Sequence, residues 1–190
     1  MPRCSVWLFL LLAACAQAPQ QSERPKPPPA PPAPSALPAT YVNDPECPRC
    51  LVVTVTLRPD GAFLLRDQLG ESEFYDFGAW RYAEGILELA GERDKRRYRL
   101  ADFRRRPELE RLRGPFRLVG VYDGTTFKEC RSGVAWKLDD TRAAQALKQE
   151  LGKAQGRAVL VALDAQLEGT PELLRFFRPA TVLDASSCPR

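Results

Sequence analysis

Apolar and polar positions alternate along most of the chain beyond residue 40, and short turns rich in glycine, proline and acids break the alternation. Residues 51–57 (LVVTVTL) and 62–65 (AFLL) flank 58–61 (RPDG), a proline-aspartate-glycine turn of the kind that reverses a chain. The pattern returns at 74–82 (FYDFGAWRY), turns at 83–85 (AEG) and resumes at 86–90 (ILELA). A further strand is expected at 96–100 (RRYRL), after the charged turn 91–95. Short strands with turns roughly every 8 to 12 residues predict a small antiparallel barrel or sandwich.

Residues 104–114 (RRRPELERLRG) interrupt this pattern and mark the expected boundary between two units. Beyond it, 116–122, 125–130 and 134–138 read as three more strands. Residues 139–153 (DDTRAAQALKQELGK) predict the one convincing helix. Asp139 and Asp140 supply its cap and first turn, Ala143, Ala146, Leu147 and Leu151 recur at helical spacing, and Gly152 and Gly156 close it. The chain ends with 157–167 and a final strand at 181–183. Three strands, a helix and two strands is the order of an OB-type barrel. The expected fold is therefore mainly β, with a small N-terminal barrel over 41–113 and an OB-like barrel with one helix over 114–190.

Before residue 41 the pattern changes. Residues 19–38 are dense in proline and nearly empty of large apolar side chains. Such a segment prefers polyproline geometry, and about 20 residues reach roughly 60 Å, which makes a semi-rigid tether. Ahead of it, a short basic lead precedes nine apolar residues, Val6 to Ala14, ending in LAAC at 12–15. Nine fall short of the roughly 20 needed to span a bilayer as a helix. LAAC resembles a bacterial lipoprotein box: residues 1–14 are the expected signal, Cys15 the acylated first residue of the mature protein, and 15–40 the lipidated cysteine with its tether. Several acyl chains, at about 0.8 kcal/mol per buried CH₂, hold a protein on a membrane durably. Ala16 stands where enteric inner-membrane lipoproteins carry aspartate, so the expected place is the outer membrane, facing the periplasm.

Composition narrows the chemistry. With 44% hydrophobic residues the chain can build a modest core. It has no histidine, and its single methionine is Met1. That excludes a Ser-His-Asp triad, a Cys-His nucleophile, a His-ligated zinc and a Met-rich copper site in the mature chain. Apart from Cys4 in the signal and Cys15, the cysteines are Cys47, Cys50, Cys130 and Cys188, an even number that in an exported protein favours disulfides.

Cys47 and Cys50 form a C-P-R-C at the entrance to the strand 51–57. A thioredoxin-like dithiol opens a helix whose positive end depresses the thiol pKa; here a β-branched run follows instead. Two thiolates suffice for a weak, exposed copper(I) site, whereas a closed zinc site wants four ligands. A local disulfide is the third reading. Loop-closure entropy credits so short a loop with about 2 kcal/mol, against roughly 4 for the span between Cys130 and Cys188. The second pair is the expected structural staple and the first the labile, redox-responsive or metal-responsive one. No cofactor is expected beyond that weak copper(I) site, and no catalytic residue.

The net charge is +4, but residues 92–117 hold eleven Lys or Arg against five acids. In an envelope such a stripe, densest over 93–117, fits lipopolysaccharide or anionic lipid; no nucleic-acid-reading module accompanies it, and a solvated barrel rim is the plainer reading. Phe74, Tyr75, Phe77 and Trp80 read either as a ligand pocket or, more simply, as barrel filling.

Taken in order, CPRC at 47–50, RPDGAF at 58–63, FGAW at 77–80, ILEL at 86–89, GVYDGTTFKEC at 120–130, DAQLEG at 164–169 and TVLDASSC at 181–188 resemble the NlpE family of outer-membrane lipoproteins. The resemblance implies an N-terminal lipocalin-like barrel carrying the C-x-x-C and a C-terminal OB-like domain closed by a disulfide. It also implies a role in copper tolerance and in sensing envelope stress, with signalling to the periplasmic domain of a sensor histidine kinase of Cpx type. The approach to Cys47 (YVNDPE at 41–46), the long proline tether and the arginine-rich middle depart from the family pattern, and bear on partner contacts more than on fold. The expectation is a monomeric, non-enzymatic sensor. A copper buffer and a thiol oxidoreductase are the alternatives.

Overall fold

The computed structural model of the protein describes residues 33–34, 36–43, 47, 49–106, 112, 114–138, 141–168, 172–176, 180–183 and 188. The signal, Cys15, most of the tether, and Asp139 and Asp140 lie outside the described residues. No helix among those described is long and apolar enough to cross a membrane.

The first alternating runs form β1 (Ala39–Val42), β2 (Val52–Leu57), β3 (Ala62–Leu69), β4 (Ser72–Ala83), β5 (Ile86–Gly91), β6 (Lys95–Arg99) and β7 (Arg104–Arg106). These pair in the order β6-β5-β4-β3-β2-β1-β7, antiparallel throughout. β6 and β7 lie at opposite edges, yet only the 3-10 turn Leu100–Asp102 and Phe103 separate them in the chain. Six gaps of about 4.8 Å would hold the edges of a flat sheet roughly 29 Å apart, while the five-residue step from Arg99 to Arg104 reaches at most about 18 Å. The sheet therefore curls into a half-barrel, open between its edges among the described residues.

Both faces of this sheet are used. Val53, Val55, Leu57, Phe63, Leu65, Leu87 and Leu89 line its concave side, with Trp80, Tyr82 and Tyr98 packed against them. The twofold period of a strand sends Ala62, Leu64, Tyr75 and Phe77 to the other side. There they join the core of the second unit.

That unit consists of β8 (Phe116–Tyr122), β9 (Thr126–Glu129), β10 (Ala135–Leu138), α1 (Arg142–Lys153), β11 (Val159–Glu168), β12 (Leu173–Phe176) and β13 (Thr181–Val182). β8, β9, β10, β12 and β11 close into a five-stranded barrel, with β10 and β12 parallel and α1 between the third and fourth strands. This is OB topology. The expected mainly-β fold is met by this closed barrel and the curled sheet.

Several local expectations need correction. The strand that closes the barrel is β12, not residues 181–183: only β12 reaches β11 on one side and β10 on the other, while Thr181 and Val182 merely extend the margin beside β11. The start of the interrupting arginine segment is itself a strand, β7, because an edge strand needs backbone partners on one side only and tolerates exposed charge. The first strand begins at Ala39. α1 is capped by Thr141, whose Oγ1 accepts from Ala144 N at 3.2 Å, in place of the expected aspartates. At its other end Gly156 (φ 74°) closes the helix as expected, its N–H donating to Leu151 O, and Gln155 (φ 56°) beside it is also left-handed, its N–H donating to Gly152 O.

The two units share one interior. Ala62, Leu64 and Phe77 belong to the same buried cluster as Phe116, Leu118, Trp136, Leu163 and Phe176. Phe116 stands edge-on to Tyr75 and Phe77 at 5.7 and 6.1 Å, and Trp136 to Phe77 at 5.3 Å. Polar latches flank this contact. Arg58, in the β2–β3 turn, donates through Nη1 to both oxygens of Glu172 at 2.8 Å, and Trp136 Nε1 donates to the same carboxylate at 2.9 Å. Trp80 Nε1 donates to Arg58 O at 3.1 Å.

Arg58→Ala should lower stability by roughly 1–3 kcal/mol, read from the denaturation midpoint, and Arg58→Lys should recover only part, since an ammonium cannot hold the fork that joins Glu172 to Asp60, which Nη2 meets at 2.8 Å. In the β4–β5 hairpin both Glu84 (φ 51°) and Gly85 (φ 83°) are left-handed, a type I′ turn that suits Asn-Gly. Glu84→Asn should raise the midpoint by an amount worth about 0.5–1 kcal/mol.

Candidate functional site

The first candidate is the Cys47–Cys50 turn in the loop between β1 and β2. Asn43 closes the base of that loop. Its backbone N–H donates to Val53 O at 3.1 Å, its Nδ2 donates to Leu51 O at 3.1 Å, and its Oδ1 accepts from Val53 N. Above this clasp Cys50 N donates to Cys47 O at 3.1 Å, so the two cysteines turn toward each other. Both stand as thiols, Cys47 exposed and Cys50 half-buried. A hydrogen bond with the Cys50 thiol, helped by the Arg49 backbone, lowers the Cys47 pKa. The same bond, then burial, raises that of Cys50. Cys47 thus loses its proton more readily than Cys50, but strand β2 follows where an oxidoreductase would have a helix.

Two convergent thiols suit a two-coordinate soft ion such as copper(I) and not a four-ligand zinc. Among the described residues no group of three or more His, Cys, Asp or Glu could enclose a metal.

The second candidate is the turn after β9. Cys130 is joined to Cys188, with Cα atoms 5.3 Å apart, and Cys130 N donates to Val119 O at 2.9 Å. Its neighbour Glu129, 1% exposed, holds the turn together: the carboxylate accepts from Arg131 N at 2.9 Å and from Ser132 N and Oγ at 2.6 Å. The side chain of Arg131 then reaches across to the first sheet, Nε to Glu92 Oε1 at 3.0 Å. Burial pushes the Glu92 carboxyl up, Arg131 opposes this, and Glu129 adds to the rise. Asp76 lies nearby on β4, its Oδ1 accepting from Phe77 N at 2.9 Å and Glu92 N at 3.0 Å. Burial raises its pKa despite those donors. A Cβ at Gly91 would stand 2.0 Å from Asp76 Oδ2, so only glycine leaves room for that carboxylate.

The structure brings cysteines together within each pair and holds the pairs on different sheets. The aromatic quartet is split. Tyr75 and Phe77 face the second barrel, Trp80 fills the concave core, and Phe74 is exposed with the Arg93 guanidinium 5.6 Å above its ring. The arginine-rich segment is largely engaged: Arg96 with Asp67, Asp94 and Tyr98, Arg97 with Glu88, Arg99 with Asp102, Arg105 with Ala36 O, and Arg117 with Asp164. Asn43, Glu129, Arg131 and Glu92 had not been singled out as functional. For Asn43, Glu129 and Arg131 the legible hint was closeness in sequence to a cysteine; nothing in the chain connects Arg131 to Glu92.

Residues 108–181 match the family described as NlpE C-terminal OB domain. Among solved structures, that of the Cpx pathway activator NlpE from Escherichia coli matches at 19% identity and a TM-score of 0.34, over 81% of this chain and 100% of that one. No curated protein sequence matches. The matched segment contains the closed barrel with its parallel β10–β12 pair and interposed helix. Residues 108–181, with this barrel, are therefore similar to the family described as NlpE C-terminal OB domain.

Proposed function

We propose that this protein is a non-enzymatic, lipid-anchored sensor of the bacterial envelope, held at the outer membrane by acylated Cys15 and reporting stress to a sensor histidine kinase of the Cpx type. The reading is supported by the family domain and by the name of the Escherichia coli protein, a Cpx pathway activator. One observation carries it: the disulfide, the buried Glu129 and the Arg131 that grips the other sheet belong to one turn. Two-electron reduction by an envelope dithiol would convert Cys130–Cys188 to two thiols and the donor to its disulfide. The cross-link then no longer restrains the turn, the Arg131–Glu92 bridge weakens, and the β4–β8 contact is free to separate. Redox state would thereby become a change in shape.

Cys130→Ser should cost about 2–4 kcal/mol of stability, and in the native host should switch on an envelope-stress reporter without any added reductant. A silent reporter in cells that contain and sort the variant normally would remove the sensing role from this disulfide.

A second reading, copper(I) buffering, is favoured specifically by the exposed Cys47–Cys50 turn. Titrating copper(I) into the reduced protein against a competing chelator should give one equivalent bound, lost in Cys47→Ser and Cys50→Ser, if buffering is the activity. Binding no tighter than that of the double variant would discard it. Turnover in an insulin-reduction assay would instead favour an oxidoreductase.

A further inference from the structure

The concave face of the half-barrel changes character along its length. Toward the β2–β3 turn it is apolar, with Leu57, Phe63 and Trp80. Toward the Cys47–Cys50 loop the same face carries Asp67, opposite Val53 and Phe74 in register, and Asp76, opposite Leu65. Arg96 enters from β6, opposite Leu89, and pairs with Asp67 Oδ2. Asp67 is only 6% exposed, and its second oxygen, Oδ1, has no hydrogen-bond partner among the described residues. Buried carboxylate oxygens nearly always have a donor, so a bare one asks for a ligand or an ordered water.

The rim around that oxygen is apolar and exposed. Leu51, Leu69 and Phe74 are 41, 51 and 48% exposed, three of the four large hydrophobics so exposed among the described residues. Strand alternation places them beside Asp67. Phe74 is its cross-strand neighbour, Leu69 lies two residues along the same face, and Leu51 two residues before Val53. The Phe74 ring already accepts a cation, Arg93, over its face. Asp67, Asp76 and Asp94 stand near the Arg96 guanidinium, and with Arg93 over Phe74 the mouth holds three carboxylates to two guanidiniums.

We infer that this mouth is a binding site for a small amphiphile with an ammonium head, which donates to Asp67 Oδ1 while its hydrocarbon tail lies on Leu51, Leu69 and Phe74. A carboxylate head would face the bare Asp67 oxygen, an acceptor that cannot donate to it. The site is distinct from both cysteine pairs and does not depend on the sensing role.

The test uses the full chain carrying Cys15→Ser, which cannot be acylated, titrated at neutral pH with octylamine and with octanoate below their aggregation thresholds. Octylamine should shift the backbone amides of Leu51, Asp67, Leu69 and Phe74 saturably, binding at least about tenfold more tightly than octanoate, as a charge-assisted bond warrants. Asp67→Asn should remove most of that preference. Leu69→Lys, a rim change that leaves the core intact, should weaken octylamine at least about fivefold by placing a like charge at the mouth. Equal binding of the two probes, shifts that never saturate, or indifference to Leu69→Lys would overturn the site. So would a slowly exchanging water on Asp67 that octylamine fails to displace.

Discussion

The hairpin of β3 and β4 is buried on both sides, and the rest of the architecture depends on it. One face of the hairpin lines the half-barrel and the other supplies Ala62, Leu64, Tyr75 and Phe77 to the interior of the second unit. β5 pairs only with residues 78–83 of β4, which leaves the first half of the long strand open to β8. Phe116 occupies that opening. A strand with two apolar faces cannot stand at a solvated surface without a large hydrophobic penalty, so the two sheets are bound to pack here.

Polar groups then orient what the apolar contact brings together. Arg58–Glu172 and Arg131–Glu92 lie on either side of the aromatic cluster and fix the rotation of one unit on the other. Each is a charge-assisted contact partly withdrawn from water, where direction matters more than in the solvated ion pairs of the sheet edges. The second of them also ties the interface to the disulfide turn, whose carboxylate, Glu129, is fully buried. In this fold the interface and the Cys130–Cys188 disulfide are adjacent.

The arginines find their explanation in the edges of the curled sheet. Lys95, Arg97 and Arg99 face out from β6, and Arg104, Arg105 and Arg106 from β7. An open edge offers unpaired backbone to any passing strand, and crowded like charge discourages that pairing. Arg96 alone among the β6 cations turns inward, to Asp67.

Local chemistry was legible in the chain. The strand runs, the RPDG and AEG turns, the single helix and the OB order followed from period, turn residues and propensity, which act over a few residues. The short β12 was missed because four residues of LLRF carry little pattern of their own and become a strand only between β10 and β11. Thr141 displaced the aspartates as cap because the entry of the chain into α1, set by the barrel, decides which side chain meets the free N–H groups. By itself the sequence determined most of the strands, the single helix, the OB order and the four cysteines beyond Cys15. Only the tertiary structure decided that β4 serves two cores, that Arg58 meets Glu172 across 114 residues, and that Asp67 keeps a bare oxygen in an apolar mouth. Those facts depend on which faces come together in space, and no short-range pattern encodes that.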